Sequence, residues 1–135
     1  MSGPELVNIY SWFIESGRYK EPGWLSGDIR DIEPPRAITE AVINKRQPLC
    51  EATLDMFVSI LGSASGDLAL VGMATGGVYL GGGILPRIAP GLKRDVFLEA
   101  FTAKGRFRQF MEKIAVRVIL NDRTALLGAA DCAFE

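Results

Sequence analysis

Gly81-Gly82-Gly83 is the stretch of this sequence best suited to chemistry. It follows a short apolar run, Val78-Tyr79-Leu80, long enough for a buried strand and too short for a helix. Ile84-Leu85-Pro86-Arg87 then restarts an apolar pattern. Glycine lacks a Cβ, so it adopts positive φ cheaply and lets another group approach the backbone. Strand, glycine turn and helix start together aim free N–H groups at an anion or a nucleotide. The same residues also suit a turn that merely permits tight packing, and spacing alone leaves both readings open. Asn121-Asp122 is the second candidate, just past Val116-Arg117-Val118-Ile119-Leu120, the clearest strand in the chain. α/β proteins often place sites at the C-terminal ends of strands, although an Asn-Asp pair also serves as a turn or cap. On one rim of a parallel sheet, with helices as the crossover, the two turns would line a single crevice. That pairing is the strongest residue-level case for a nucleotide site.

Composition removes several other chemistries. The 135 residues fit one domain and contain no histidine, which excludes Ser-His and Cys-His catalysis and His-based metal sites within this chain. Hydrophobic content of 48% against 23% charged is that of a soluble globular protein, and a net charge of −1 provides no general field for nucleic acid or anionic lipid. Cys50 and Cys132 form no Cys-x-x-Cys pair and read as buried, reduced thiols of a cytoplasmic protein. Lys104-Gly105-Arg106-Phe107-Arg108 alternates basic and aromatic groups as some nucleic-acid surfaces do. Phe107 is in phase with Phe110 and Met111, however, so a solvated helix start with Phe107 on a packing face is the expectation.

The elements that must position the glycines are mostly helical. Ser2 is a candidate cap for a helix entered through Gly3-Pro4-Glu5, with Leu6, Ile9, Tyr10, Phe13 and Ile14 on one face and Gly17 as the stop. Residues 18–35, rich in Pro and Gly, read as a long surface connection with Trp24 and Leu25 against the body. Pro35 to Asn44 is a second helix, and Pro48 opens the longest, with Leu49, Ala52, Thr53, Met56, Phe57, Ile60 and Leu61 on its apolar face. Gly62 and Gly66 lie four apart, which lets another element approach closely. A break near Gly66 with Asp67 capping a further helix is the competing reading. Asp95–Ala103 and Phe107–Ile114 read as helices, the first with Val96, Phe97, Ala100 and Phe101 inward. Thr124 is a candidate cap for a small-residue terminal helix. Residues 68–86 carry no charge and match a bilayer in length, but six glycines and a closing proline make a poor spanning helix. Neither a nucleic-acid nor a membrane partner is expected.

With these pieces in place, the sequence resembles the C-terminal part of bacterial-type, ATP-dependent glucokinases, of the hexokinase and actin-like ATPase superfamily. The matching stretches run in order: Ser2-Gly3-Pro4 with Leu6-Val7-Asn8 and Tyr10; Leu68-Ala69-Leu70; Gly76-Gly77-Val78; Gly82-Gly83-Ile84 with Pro86-Arg87; Phe101 with Lys104-Gly105-Arg106-Phe107; and Leu126-Leu127-Gly128. Pro86-Arg87 and Lys104-Gly105-Arg106-Phe107 separate this family from other sugar kinases. The resemblance implies an α/β, helix-rich fold, a partial ribonuclease-H-like large domain with few strands, as one incomplete domain over residues 1–135. It also implies that Gly81, Gly82 and Gly83 form the adenosine-side motif, near the loop after Asn121.

The family transfers the γ-phosphoryl group of ATP, with Mg²⁺, to the glucose 6-hydroxyl, using a carboxylate base and closing its cleft against water. Its Asp-x-Gly-Gly-Thr phosphate loop has no counterpart here, and its sugar-binding Glu-Gly-Gly-His requires a histidine. Its remaining glucose-contacting glutamate precedes the Ser-Gly-Pro stretch. Asn121-Asp122 repeats the letters of the catalytic Asn-Asp pair, but it follows the last strand, so no catalytic role passes to Asp122. No catalytic residue and no metal ligand is assigned. The resemblance therefore implies a chain inactive by itself, forming a homodimer or pairing with the missing part, with glucose and ATP as the substrates of the complete enzyme. The alternative is a non-catalytic helical interaction module.

Overall fold

The computed structural model describes residues 3–31, 33–121 and 123–134. Its elements run α1 (Gly3–Glu15), α2 (Gly23–Asp31), α3 (Pro34–Lys45), α4 (Pro48–Val71), β1 (Val78–Leu80), α5 (Ile84–Ile88), α6 (Arg94–Thr102), α7 (Arg108–Met111), β2 (Val116–Val118) and α8 (Thr124–Phe134). Short 3₁₀ turns at Ala89–Gly91 and Gly105–Phe107 precede α6 and α7. Among the described residues the fold is helix-rich, with one small parallel sheet.

α4 is the helix on which α1, α3, α6 and α7 pack. Pro48 suits a first helical position because its missing N–H has no partner there in any helix. The Gln47 side chain caps the start, its Oε1 accepting from the Leu49 N–H at 3.2 Å. Leu49, Cys50, Leu54, Phe57 and Val58 are buried, packed with Leu6, Tyr10 and Phe13 of α1, Ile38 and Ala41 of α3, and Phe97 and Phe101 of α6. The expected close approach at Gly62 and Gly66 is present. A Cβ on Gly62 would lie 2.5 Å from the Phe97 carbonyl oxygen, and one on Gly66 would lie 2.4 Å from that of Phe101. Glycine at both positions is what lets the α6 backbone lie directly on α4.

The helix does not break at Gly66. It runs unbroken to Val71, so Asp67 is not a cap; its carboxylate pairs with Lys104 Nζ at 2.7 Å. Burial of the Gly62–Gly66 face against α6 supplies the packing that offsets glycine's poor helix propensity. By length and composition α4 could cross a membrane (24 residues, hydropathy 1.5), yet it is the central helix of the packed body. The charge-free run 68–86 is divided among the end of α4, a turn, β1, the glycine turn and the start of α5.

Other expectations are corrected. Residues 18–35 contain a helix, α2, whose Leu25 is fully buried while the Trp24 ring lies under Lys45 Nζ at 3.4 Å. Ile60 is exposed, because α1, α3 and α6 cover the other sides of α4. The expected helix over 107–114 shrinks to the 3₁₀ turn and α7, which buries Met111, followed by a turn that buries Ile114. Phe107 is exposed with the Arg106 guanidinium 5.1 Å from its ring centroid, not on a packing face. Cys50 is buried as expected, but Cys132 is exposed, because α8 packs on little else; both thiols are free.

β1 and β2 pair in parallel, with Val78 opposite Val116 and Leu80 opposite Val118. Bonds from Val78 N to Ala115 O and from Ile119 N to Leu80 O, both 2.8 Å, bracket the pair. β2 is shorter than the five residues expected, since β1 offers only three partners before Gly81. α5 and α6 lie in the connection from β1 to β2, as a parallel pair requires.

Candidate functional site

The parallel register places the C-terminal ends of both strands on one rim, and the glycine turn leaves from that rim. Gly81, Gly82 and Gly83 are all exposed. Gly82 has φ +124°, a conformation that side chains rarely adopt, and this turns the chain from β1 into α5. Gly83 has φ −73° and stands at the start of α5 with open space where a Cβ would be. A Cβ on Gly81 would meet Ile119 Cδ1 at 3.5 Å, so the turn stays beside the end of β2.

Gly82 and Gly83 open onto a cavity of about 510 Å³, walled by Gly3, Pro4 and Val7 of α1, Glu33, Pro34 and Pro35 at the start of α3, and Ile84 and Arg87 of α5. That volume falls in the range of small-molecule sites. Prolines at the starts of α1 and α3 supply apolar surface and no N–H, so these walls favour a flat apolar group over an anion. Among the described residues lining the cavity, the two charged side chains, Arg87 and Glu33, form an ion pair with each other, each about half exposed.

The cavity includes one of the two turns expected to line a crevice. Its glycine wall is present, but the opposite wall comes from the starts of α1 and α3, not from the turn after β2. Asn121 forms a local turn, its Oδ1 accepting from the Arg123 N–H at 3.0 Å and its carbonyl from Thr124 Oγ1 at 2.8 Å. Asp122 and Ser2 lie outside the described residues. Glu33, Pro34 and Pro35 were missed because their segment reads as linker. Among the described residues no cluster of His, Cys, Asp or Glu is suited to a metal ion.

Perturbed ionisations lie elsewhere and are structural. Burial, and then the bond its hydroxyl donates to Glu21 Oε1 at 2.8 Å, raises the Tyr10 phenol well above its usual range. Burial pushes the Cys50 thiol up to about 12, so it is not a nucleophile near neutrality. The carboxylate of Asp55, hydrogen-bonded at 2.7 Å, raises Lys93. Lys104 Nζ donates to the Ser63 carbonyl at 2.9 Å and pairs with Asp67, fixing the corner after α6 onto α4.

A parallel strand pair that ends at an exposed glycine turn beside a cavity is an arrangement in which α/β proteins often place sites. The glucokinase family model matches residues 1–135, and the chain belongs to that family. It is 43% identical to a glucokinase of Nostoc punctiforme over 131 residues, 96% of this chain and 36% of that protein. It is 47% identical to a glucokinase of Cupriavidus pinatubonensis over 96 residues, 71% of this chain and 28% of that protein. The crystal structure of a glucokinase from an Antarctic psychrotroph superposes with a TM-score of 0.75 at 33% identity, covering 97% of this chain and 38% of that one. The chain corresponds to the C-terminal portion and spans about a third of the length of these relatives.

Proposed function

We propose that this chain provides the adenosine side of an ATP-dependent glucose phosphotransferase, with Gly81, Gly82 and Gly83 as the backbone surface against which the nucleoside lies. The observation that carries this reading is the exposed Gly82–Gly83 backbone forming one wall of a cavity whose lining combines the apolar Pro4, Val7, Pro34, Pro35 and Ile84 with the charged pair Glu33 and Arg87. A purine suits such walls, since a flat apolar face can rest on proline rings while backbone groups contact the sugar. In this reading the chain is part of a ribonuclease-H-like, actin-like ATPase large domain, cytoplasmic, with ATP arriving as its Mg²⁺ complex. The γ-phosphoryl acceptor, glucose, and the catalytic carboxylate are held by the part of the enzyme outside this chain. The isolated chain binds nucleotide without turning it over.

Gly83→Val tests the reading cleanly, because its φ suits any residue and its Cβ meets nothing within 4 Å. The substitution adds a branched side chain to the glycine wall without straining the turn. ATP binding measured by equilibrium dialysis is expected to be lost with the melting temperature unchanged; retained binding contradicts the assignment. A coupled assay showing glucose- and ATP-dependent turnover by the chain alone would overturn the inactivity.

A second reading, an interaction module without nucleotide binding, draws on α8. Residues 124–133 are all exposed, including Leu126 and Leu127, and such a surface suits a helix that packs on a partner. Nucleotide-insensitive stability together with a defined dimer favours it.

A further inference from the structure

We infer that Glu33, held in place by Arg87, is the acceptor for the ribose hydroxyls of the bound nucleoside, and so selects ribonucleotides over nucleotides lacking the 2′ and 3′ hydroxyls. The inference rests on the adenosine-cavity reading and assigns the polar end of that cavity.

Glu33 occupies the residue before α3, where a short acidic side chain would normally bond to the first helical N–H groups. Its own side chain makes no such bond; only its backbone carbonyl serves the helix, accepting from Arg36 N at 2.9 Å and Ala37 N at 3.1 Å. The carboxylate is engaged instead by Arg87 of α5, which also lines the cavity. Among the described residues lining the cavity, Glu33 is the one side chain able to accept a hydrogen bond. An ionised carboxylate has about four acceptor positions, so the guanidinium contact leaves most of them open. Both partners are about half exposed, so the open positions face water before a ligand arrives.

The donors a nucleoside can direct at such a group are the vicinal ribose hydroxyls, which two carboxylate oxygens accept together. The apolar walls of Pro4, Val7, Pro34 and Pro35 then receive the base, and the Gly82–Gly83 backbone borders the sugar. Arg87 has a positioning role. It fixes the carboxylate and offsets its charge, which would otherwise repel a polyphosphate.

The test compares ATP with 2′,3′-dideoxy-ATP by equilibrium dialysis on the unaltered chain, Glu33→Gln and Glu33→Leu, with circular dichroism and melting temperature as folding controls. Hydrogen bonds to a charged acceptor are strong enough for a difference of about tenfold. ATP is expected to bind the unaltered chain about tenfold more tightly than the dideoxy analogue. Glu33→Leu should weaken ATP to the level of the analogue without changing the analogue's affinity, and Glu33→Gln should retain part of the preference. Equal binding of the two nucleotides by the unaltered chain overturns the role of Glu33 while leaving the cavity reading intact. Tighter ATP binding by Glu33→Leu also overturns it, since Glu33 would then be a competitor for Arg87. Absence of binding by either nucleotide overturns the cavity reading and this inference together.

Discussion

The α4–α6 contact and the strand rim differ in every physical respect that matters for stability. At the first, two glycines bring helix backbones together, and Phe57, Phe97 and Phe101 are buried around them. At the second, two strands of three residues stand with Tyr79 and Val118 exposed, and the glycine turn projects into solvent. At Gly62 and Gly66 the two helix backbones meet directly, whereas the rim has little burial to hold it together. Stability is therefore concentrated in the first region and binding capacity in the second. A parallel sheet usually has both faces covered, and this one does not, which fits a chain spanning about a third of its relatives' length.

Substitutions that separate the regions should have graded effects. Phe101→Ala removes a fully buried ring from the α4–α6 contact and is expected to cost about 3–5 kcal/mol in urea unfolding. Gly66→Ala should cost about 3 kcal/mol, because the added methyl meets a carbonyl oxygen that belongs to α6 backbone and cannot swing aside. Lys104→Met should cost about 1 kcal/mol by removing the bond to the Ser63 carbonyl and the pair with Asp67. At the other extreme, Leu126→Ser on α8 should change stability by less than about 0.5 kcal/mol. A large effect there would mean that α8 is covered in solution.

The two thiols sharpen the same contrast. A disulfide reagent at mildly alkaline pH should modify Cys132 rapidly and Cys50 only on unfolding. Cys50 keeps its proton in the folded chain up to about pH 12. The folded state therefore binds more protons than the unfolded state above the ordinary thiol range. Stability contributed by the neutral thiol is full below that range and declines as pH rises toward 12. Cys50→Ala should flatten that part of the pH profile.

Much of the body was legible in the sequence because its apolar residues recur at helical spacing and its glycines have a single packing use. Leu6, Tyr10 and Phe13 mark α1, and Gly62 and Gly66 mark the α6 seat. The parallel pair was legible from two β-rich runs separated by helical sequence. Less legible was α2, whose Gly23 and Gly27 disguise a helix held by tertiary contacts with α3. The cavity was half legible for the same reason. Its glycine wall is continuous in sequence, whereas Glu33 and the prolines reach it only through the packing of α3 against α1 and α5. No local pattern encodes that juxtaposition.

The most direct test of the account is a titration of the ¹⁵N-labelled chain with ATP followed by backbone amide shifts. The account predicts that the responding amides cluster at Gly82, Gly83, Ile84, Val7 and Arg87 around the cavity, with the Gly62 and Gly66 amides unmoved. Shifts confined to α8 or to the open face of the strands, or none at saturating ATP, would contradict it.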